Sequence, residues 1–494
     1  MGIVAKQTIK GSIFLYLGIL LGGLNVTYLF PQLLGESNWG NLSILLSIVE
    51  LGTQISQLGT PNIILKYFPA YRDGTSPKGF YNFLILTNLG GAVLCALVFV
   101  IWQDSFIGTT DLDLSNAPLL VFGMICWVIA ISALNNITAI INMHYETAYS
   151  TFLREFLLRV FQTLGVLLFF VYNFSFTEFY FVYILSFILA SSIGLIYLFR
   201  KKYFQLSFLK EKTNKLPIKE YFSYGIYSII GNFGINFLLR IDIIMIGALM
   251  LEGSVNAGQY RTSVYIATLC IIPLRPFIGI TQSLISNWWP KKAVSEIQNM
   301  YTKSSFISLI VSSFGLVFIL INLPWIGEYL FSKDIEVIFY VILAFGIGQV
   351  FNSTTTVNGY LISLSSFYKF NTYSIAVLIG ISALLNYILI SAYGIVGAAV
   401  ATTIGQIIYN LMKTYYLKIK LGYRLNAKQL IYPSLIVATL LIAVTYFMQR
   451  DWLGIINALV LSTVIGAGLL IYIYYFSDIL EFLKRKKPKN LLDD

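Results

Sequence analysis

Cysteine, histidine and charge are all scarce in this chain, and each scarcity removes a class of protein. It has three cysteines and one histidine in 494 residues. Cys95, Cys126 and Cys270 share no paired spacing and have no histidine neighbour, which leaves neither a disulfide framework nor a zinc site. They read as small packing residues. His144 stands beside Tyr145 and Glu146, where an interfacial position at a helix end is expected rather than chemistry. No glycine-rich nucleotide loop, metal-ligand cluster or nucleophile and base pair is present, so neither an enzyme nor a cofactor or metal is expected. Charged residues make up only 11% of the chain, against about 25% in soluble domains.

Apolar sequence fills that space. Hydrophobic residues are 57% and aromatics 16% of the chain, and the mean hydropathy is +0.77. Runs of about 20 apolar residues, long enough to cross a bilayer, recur from end to end. The pattern predicts an all-α polytopic membrane protein with fourteen spans, at 10–31, 39–61, 80–102, 118–142, 151–172, 178–200, 220–250, 256–286, 303–323, 337–362, 371–391, 393–414, 428–448 and 453–477. The first stretch is too long for a cleavable signal and lacks a small-residue cleavage site, so it is expected to remain as span one. With both termini and the even-numbered connections on the cytoplasmic side, every Lys and Arg outside the membrane falls there except Lys333 and Arg450. Such a bias fixes the orientation. The pI of 9.2 comes from short, scattered loops rather than one basic face, which argues against nucleic-acid binding.

A weak internal repeat organises the chain. A shift of 218 residues lays Gly40 on Gly258, and one of 217 lays Asn135-Asn136 on Asn352-Ser353. Six spans per repeat make the halves parallel, related by an axis along the membrane normal. The expected organisation is an amino-terminal six-helix lobe at 1–200, a basic cytoplasmic linker at 201–219, a second six-helix lobe at 220–415, and two further helices with a basic tail at 416–494.

Within the spans, polar residues line up. Ser43, Ser47, Glu50, Gln54 and Gln57 recur at helical spacing, and the 218 shift carries them onto Arg261, Tyr265, Thr268, Ile272 and Arg275. Ser228, Asn232, Asn236 and Arg240 form a third seam, and Gln349, Ser353, Thr356 and Tyr360 a fourth. Ionised groups at this depth cost about 2.5–3.5 kcal/mol each even on insertion scales, so they are expected to face a protein interior or a wet cavity. Glu50, Arg240, Asp242, Arg261 and Arg275 give an excess of positive charge, which points to an anionic cargo. Guanidinium groups suit phosphate oxygens because they bind them bidentately. Arg261 and Arg275, fourteen residues apart, would form a ladder on one helical face. Substrate contact is therefore expected at Arg240, Arg261, Arg275, Gln54, Gln57 and Asn236. Glu50 and Asp242 are expected in ion pairs or ion coupling, with Arg261 as the expected partner of Asp242. Pro273 and Pro276, which flank Arg275, predict a kink or local unwinding there.

The stretch Gln7 to Arg72 contains Tyr16-Leu17-Gly18-Ile19, Leu20-Leu21-Gly22, Pro31, Gly40, Leu58-Gly59-Thr60-Pro61 and Lys66-Tyr67-Phe68-Pro69. Together with Arg240-Ile241-Asp242 and Gly258-Gln259-Tyr260, it resembles bacterial polysaccharide flippases of the Wzx type. Those proteins belong to the multidrug/oligosaccharidyl-lipid/polysaccharide exporter superfamily, and the resemblance runs over essentially the whole chain. It implies a V-shaped transporter of two lobes, working by alternating access in the bacterial inner membrane. The cargo it implies is an undecaprenyl-diphosphate-linked oligosaccharide, passed from inner to outer leaflet for O-antigen or other surface polysaccharide synthesis. Implied partners are that lipid-linked diphosphate, membrane lipids, a coupling proton or sodium ion, and other polysaccharide-assembly proteins. The cavity cations of the family map onto Arg240, Arg261 and Arg275. On this reading the amino-terminal lobe departs from the pattern, having no Arg or Lys within the membrane. Two rival readings are a cation-coupled drug exporter, which would want a carboxylate cluster in the first lobe, and a glycan polymerase or ligase, which would want a large outer loop.

Overall fold

The fold follows from burying backbone as well as side chains. Without water, every N–H and C=O must be bonded internally, which leaves a continuous apolar chain the choice of helices or a closed barrel. The computed structural model describes residues 3–68, 78–203, 218–330, 335–367, 369–425 and 427–448, and among them no strand occurs. The first helices are α1 (Ile3–Leu24), α2 (Phe30–Leu34), α3 (Glu36–Ser56), α4 (Thr60–Tyr67), α5 (Lys78–Ile101), α6 (Gln103–Ile107), α7 (Ala117–Met143), α8 (Thr147–Thr151), α9 (Leu158–Tyr172) and α10 (Phe176–Arg200). They are followed by α11 (Ile218–Leu238), α12 (Ile241–Leu249), α13 (Gly253–Thr268), α14 (Arg275–Trp288), α15 (Val294–Leu330), α16 (Ile335–Thr354), α17 (Thr356–Leu364), α18 (Lys369–Lys420) and α19 (Ala427–Met448).

Among the described residues nine helical segments are long and apolar enough to cross a bilayer, or ten if the bent pair α3 and α4 counts as one span. The protein is a multi-pass helical membrane protein. Gly394, at φ +58°, interrupts the 52-residue α18 at the boundary expected between the eleventh and twelfth spans. Only glycine adopts that backbone without strain. The expected span at 453–477, most of the linker at 204–217 and the basic tail lie outside the described residues.

The chain divides into two compact units, Met1–Thr262 with Asn386–Ala398, and Ser263–Leu385 with Ala399–Asp494. In the first, α3 is the central element, packing on α5, α7, α11 and α12. Its approach to α13 is closer than any side chain allows. A Cβ on Gly40 would lie 1.5 Å from the Ser254 carbonyl oxygen, and one on Gly258 would lie 3.1 Å from the Gly40 nitrogen. The two glycines superposed by the 218-residue shift thus sit against each other. Beside them Asn41 Oδ1 accepts from the Asp111 backbone N–H at 3.0 Å and from Ser254 Oγ at 2.5 Å. In the second unit, α15 packs on α16 and on a 3₁₀ stretch, Leu269–Leu274. Its interior is stitched by Tyr301 to Asn358 to Thr414, Ser353 to Ser312 and Asn410 to Asn352.

Breaks in the helices set the geometry of the site. After α3, Leu58 (φ +46°) and Gly59 (φ +76°) turn the chain, and α4 leaves at 46° with Pro61 in its first turn. Pro is tolerated there because the first N–H groups of a helix have no intrahelical partner. The expected span at 220–250 is likewise two helices, α11 and α12, parted at Leu239 and Arg240. Arg240 has the non-helical angles φ −128° and ψ −22°. Neither Pro nor Gly occurs at this break, so nothing in the local sequence explains it.

Candidate functional site

Glu50 and Arg240 meet in the first unit. Glu50 lies on the middle of α3, and the break before α12 places Arg240 where its Nε forms an ion pair with Glu50 Oε2. Both side chains remain 26% exposed, so the pair is half-buried rather than sealed in the core.

Arg261, on α13, joins them. Its guanidinium carbon lies 5.8 Å from the centroid of the Trp39 ring, and Arg240, Glu50 and Arg159 are near enough for their charges to act on it. Trp39 is fully buried and fixed, because its indole N–H donates to Thr262 Oγ1 at 3.0 Å and Thr262 donates to the Val26 carbonyl at 3.2 Å. The ring therefore offers a fixed face for the cation. Arg261 Nη1 is buried and has no hydrogen-bond acceptor among the described residues.

The third guanidinium was not expected. No intramembrane Arg or Lys is expected in the amino-terminal lobe, although Arg159 falls inside the span expected at 151–172. The structure corrects this. The span runs from Thr147 to Tyr172, with a π-helical stretch at Phe152–Leu157, and Arg159 lies well inside it. Its Nη1 donates to Gln162 Oε1 at 3.0 Å, and Gln162 Nε2 donates to Tyr183 Oη at 3.0 Å. Asn25, in a second π-helical stretch, donates to the Arg159 carbonyl at 3.3 Å and accepts from Thr163 Oγ1 at 2.8 Å. The legible signal was the spacing of Arg159, Gln162 and Thr163, which share a helical face at steps of three and four.

The other expected residues separate. Ser43 and Ser47 are completely buried, and their hydroxyls donate to the carbonyls one turn back, Trp39 and Ser43, both at 2.8 Å. They pack α3 and line no cavity. Gln54 is half-buried on the same helix, whereas Gln57 is buried at the helix break with its amide nitrogen unbonded. Asn236 is half-buried and already engaged, and the side chains of Ser228 and Asn232 fall outside the described set. Asp242 does not take Arg261 as partner. It is buried in the first turn of α12 and accepts from Tyr260 Oη at 2.6 Å, where the helix N-terminus also favours an anion.

Arg275 belongs to the second unit, where it is exposed at the first position of α14. The six-residue 3₁₀ stretch that precedes it contains Pro273, so the unwinding expected from the two prolines is present. It also interrupts the α-helical period that would have put Arg261 and Arg275 on one face. Beyond the end of α7, His144 stacks on Tyr203 with ring centroids 3.7 Å apart, as an interfacial aromatic should. Burial, with the neighbouring Glu146 carboxylate, pushes the Tyr203 phenol above its ordinary value.

Glu50, Arg159, Arg240 and Arg261 thus make an intramembrane cluster of three cations and one anion. It has no metal character. Among the described residues no group of three or more His, Cys, Asp or Glu could hold a metal ion.

Comparison with known proteins bears on the family and the fold. Over 254 residues the chain is 22% identical to the probable low-salt glycan biosynthesis flippase Agl15 of Haloferax volcanii. The alignment covers 51% of this chain and 52% of that protein, so the chain spans about half the length of the curated relative it matches. Among solved structures it resembles the lipid II flippase MurJ in an inward closed conformation, with a TM-score of 0.72 at 15% identity over 97% of this chain and 100% of that one. It also resembles an inward-facing multidrug resistance transporter of the MATE family, with a TM-score of 0.64 at 12% identity over 86% and 94% of the two chains. A transporter of the same superfamily from Pyrococcus furiosus matches with a TM-score of 0.53 at 13% identity over 89% and 95%. At such identities these structures share the fold. Residues 8–280 match the family described as polysaccharide biosynthesis protein, more than half of the sequence, and the chain belongs to that family.

Proposed function

We propose that the protein is a flippase of the multidrug/oligosaccharidyl-lipid/polysaccharide exporter superfamily, and that it moves an undecaprenyl-diphosphate-linked oligosaccharide across the bacterial cytoplasmic membrane. The observation that carries this reading is the excess of guanidinium charge within the spans: Arg159, Arg240 and Arg261 around Glu50 as the one carboxylate. Arg240 is neutralised by Glu50. Arg159 and Arg261 are left to attract an anion, and Arg261 Nη1 is a buried donor with no acceptor. A diphosphate supplies what those groups lack, since its oxygens accept charge-assisted bonds from planar guanidinium donors.

Lobes at 1–200 and 220–415 would carry out alternating access, with Arg275 as the second lobe's contribution to the path. Both termini would face the cytoplasm, where the basic loops are retained by the positive-inside bias. The energy source on this reading is a proton or sodium ion, and Glu50, held by Arg240, is the group through which coupling would act. A drug-exporter reading asks for a cluster of carboxylates to take a cationic cargo, and the described residues contain none.

Reconstituted protein tests the proposal directly. Arg261→Ala, and separately Arg275→Ala, should each lower the flipping of undecaprenyl-diphosphate-linked oligosaccharide in proteoliposomes by at least tenfold, with the yield of folded protein unchanged. Flipping at the wild-type rate by Arg261→Ala would overturn the reading.

A further inference from the structure

Away from the arginine cluster, the first unit contains a cavity of about 380 Å³ where the start of α1, the end of α7, α8 and the first turn of the π-helical stretch meet. Its size falls within the range of about 300–1,000 Å³ typical of small-molecule sites. Its chemistry is the reverse of the arginine cluster.

The hydrogen-bonding groups around it can be counted out one by one. Thr138 Oγ1 donates to the Leu134 carbonyl at 2.8 Å, and Thr151 Oγ1 to the Thr147 carbonyl at 2.9 Å. Their protons are committed, and what they have left to offer is lone pairs. Asn142 Oδ1 is buried without a hydrogen-bond partner, the NH₂ of the same amide adds a donor, and Thr147 adds a further hydroxyl. Gln7 Oε1 accepts the Ala148 backbone N–H at 3.1 Å, so its remaining capacity is the NH₂ donor. Ser12 and Ser150 also line the cavity and add hydroxyls that act either way. The charged lining, Arg154 and Glu155, is a mutually compensating pair at 4.0 Å.

An anion needs donors, and here it would meet acceptors in equal measure and an arginine that already has a carboxylate beside it. A metal ion would be lost in so large a space. Vicinal hydroxyls, each both donor and acceptor, match the mixture of acceptors, hydroxyls and amide NH₂ groups. We propose that this cavity binds an uncharged sugar ring of the glycan. It is then a subsite separate from the diphosphate cluster, and it lies on the side of the membrane where α7 ends and α8 begins. The inference rests on the transport reading above and assigns the part of the cargo that the arginines do not hold.

Saturation-transfer NMR on the full-length protein in a sugar-free detergent tests it, with neutral trisaccharides of glucose, galactose and N-acetylglucosamine as probes. Wild-type protein should transfer saturation to the ring protons of at least one of them. Ser12→Phe, which fills the cavity, and Asn142→Leu, which removes the free acceptor, should each reduce that transfer at least fivefold, while Arg261→Ala leaves it intact. Circular dichroism confirms the fold of each variant, and Asn142→Leu carries the test if Ser12→Phe does not fold. No transfer to any probe from wild-type protein, or undiminished transfer in the folded variants, overturns the inference. The two readings fail separately. Normal flipping by Arg261→Ala alongside cavity-dependent sugar binding removes the diphosphate cluster and leaves the sugar site standing.

Discussion

Two charged side chains are fully buried among the described residues, one in each compact unit: Asp242 in the first and Lys413 in the second. Both turn to a tyrosine, but by opposite means. Tyr260 gives Asp242 its hydroxyl proton at 2.6 Å, whereas Tyr409 offers Lys413 only its ring face, with the ammonium 3.7 Å from the centroid. An anion in a helical interior can be satisfied by O–H donors and by a helix N-terminus, both of which Asp242 has. A buried ammonium needs acceptors, and no carboxylate stands within ion-pair distance of Lys413 among the described residues. The first unit has thus given its buried charge a hydroxyl donor and a helix N-terminus, and the second sets only a ring face against the desolvation cost of its own.

The sharpest way to break this contrast is to remove the compensated charge. Asp242→Ala should destabilise the protein by about 3 kcal/mol, because it deletes a charged hydrogen bond from the hydroxyl of Tyr260, itself only 1% exposed. Asp242→Asn keeps an acceptor in place and should cost about 1 kcal/mol. Unfolding midpoints of the purified variants in one detergent measure both. Equal losses would mean that Tyr260 is indifferent to what it faces.

The Glu50 and Arg240 pair lies between the extremes, being half-buried, and its loss should cost less. Arg240→Ala leaves a carboxylate facing Arg261 and Arg159 and should destabilise by about 1–2 kcal/mol. The double replacement Glu50→Gln with Arg240→Gln removes both charges and should cost under about 1 kcal/mol. A double replacement that costs the sum of its parts would show that the two side chains do not depend on each other.

Part of the site was legible in the sequence, but neither side of this contrast was. Charges inside apolar runs had to find partners, and Glu50, Arg240 and Arg261 come together as the seams on spans 2, 7 and 8 implied. Three features were not readable. The break at Arg240 has no Pro or Gly to announce it, so a continuous helix was the natural expectation. Arg159 falls inside the span expected at 151–172, but the neighbours it meets, Asn25 and, through Gln162, Tyr183, come from distant parts of the chain. Lys413, at the end of the span expected at 393–414, carries no sequence signal that it is only 8% exposed. Periodicity locates a helical face, but the depth of a residue near a span end depends on which neighbours cover it, and those come from distant parts of the chain. Ser43 and Ser47 teach the converse. Polar spacing placed them on the seam, but each hydroxyl is spent on its own helix, a local outlet open to any helical serine.

The smallest effect expected, and the one of opposite sign, is at Lys413. Methionine has nearly the same length and no charge, so Lys413→Met removes the desolvation cost while keeping the packing against Tyr409. A desolvated cation over an aromatic face gains about 2 kcal/mol, less than the several kcal/mol charged for burying the ion. The variant should therefore be at least as stable as the wild type, by about 1 kcal/mol on balance, seen as a rise of about 2–4 °C in the unfolding midpoint. A fall of that size would mean that the ring alone compensates the charge, and the two units would then be equally well balanced. Retained stability with loss of flipping would place Lys413 with Arg261, as a charge kept at a cost because it meets the cargo.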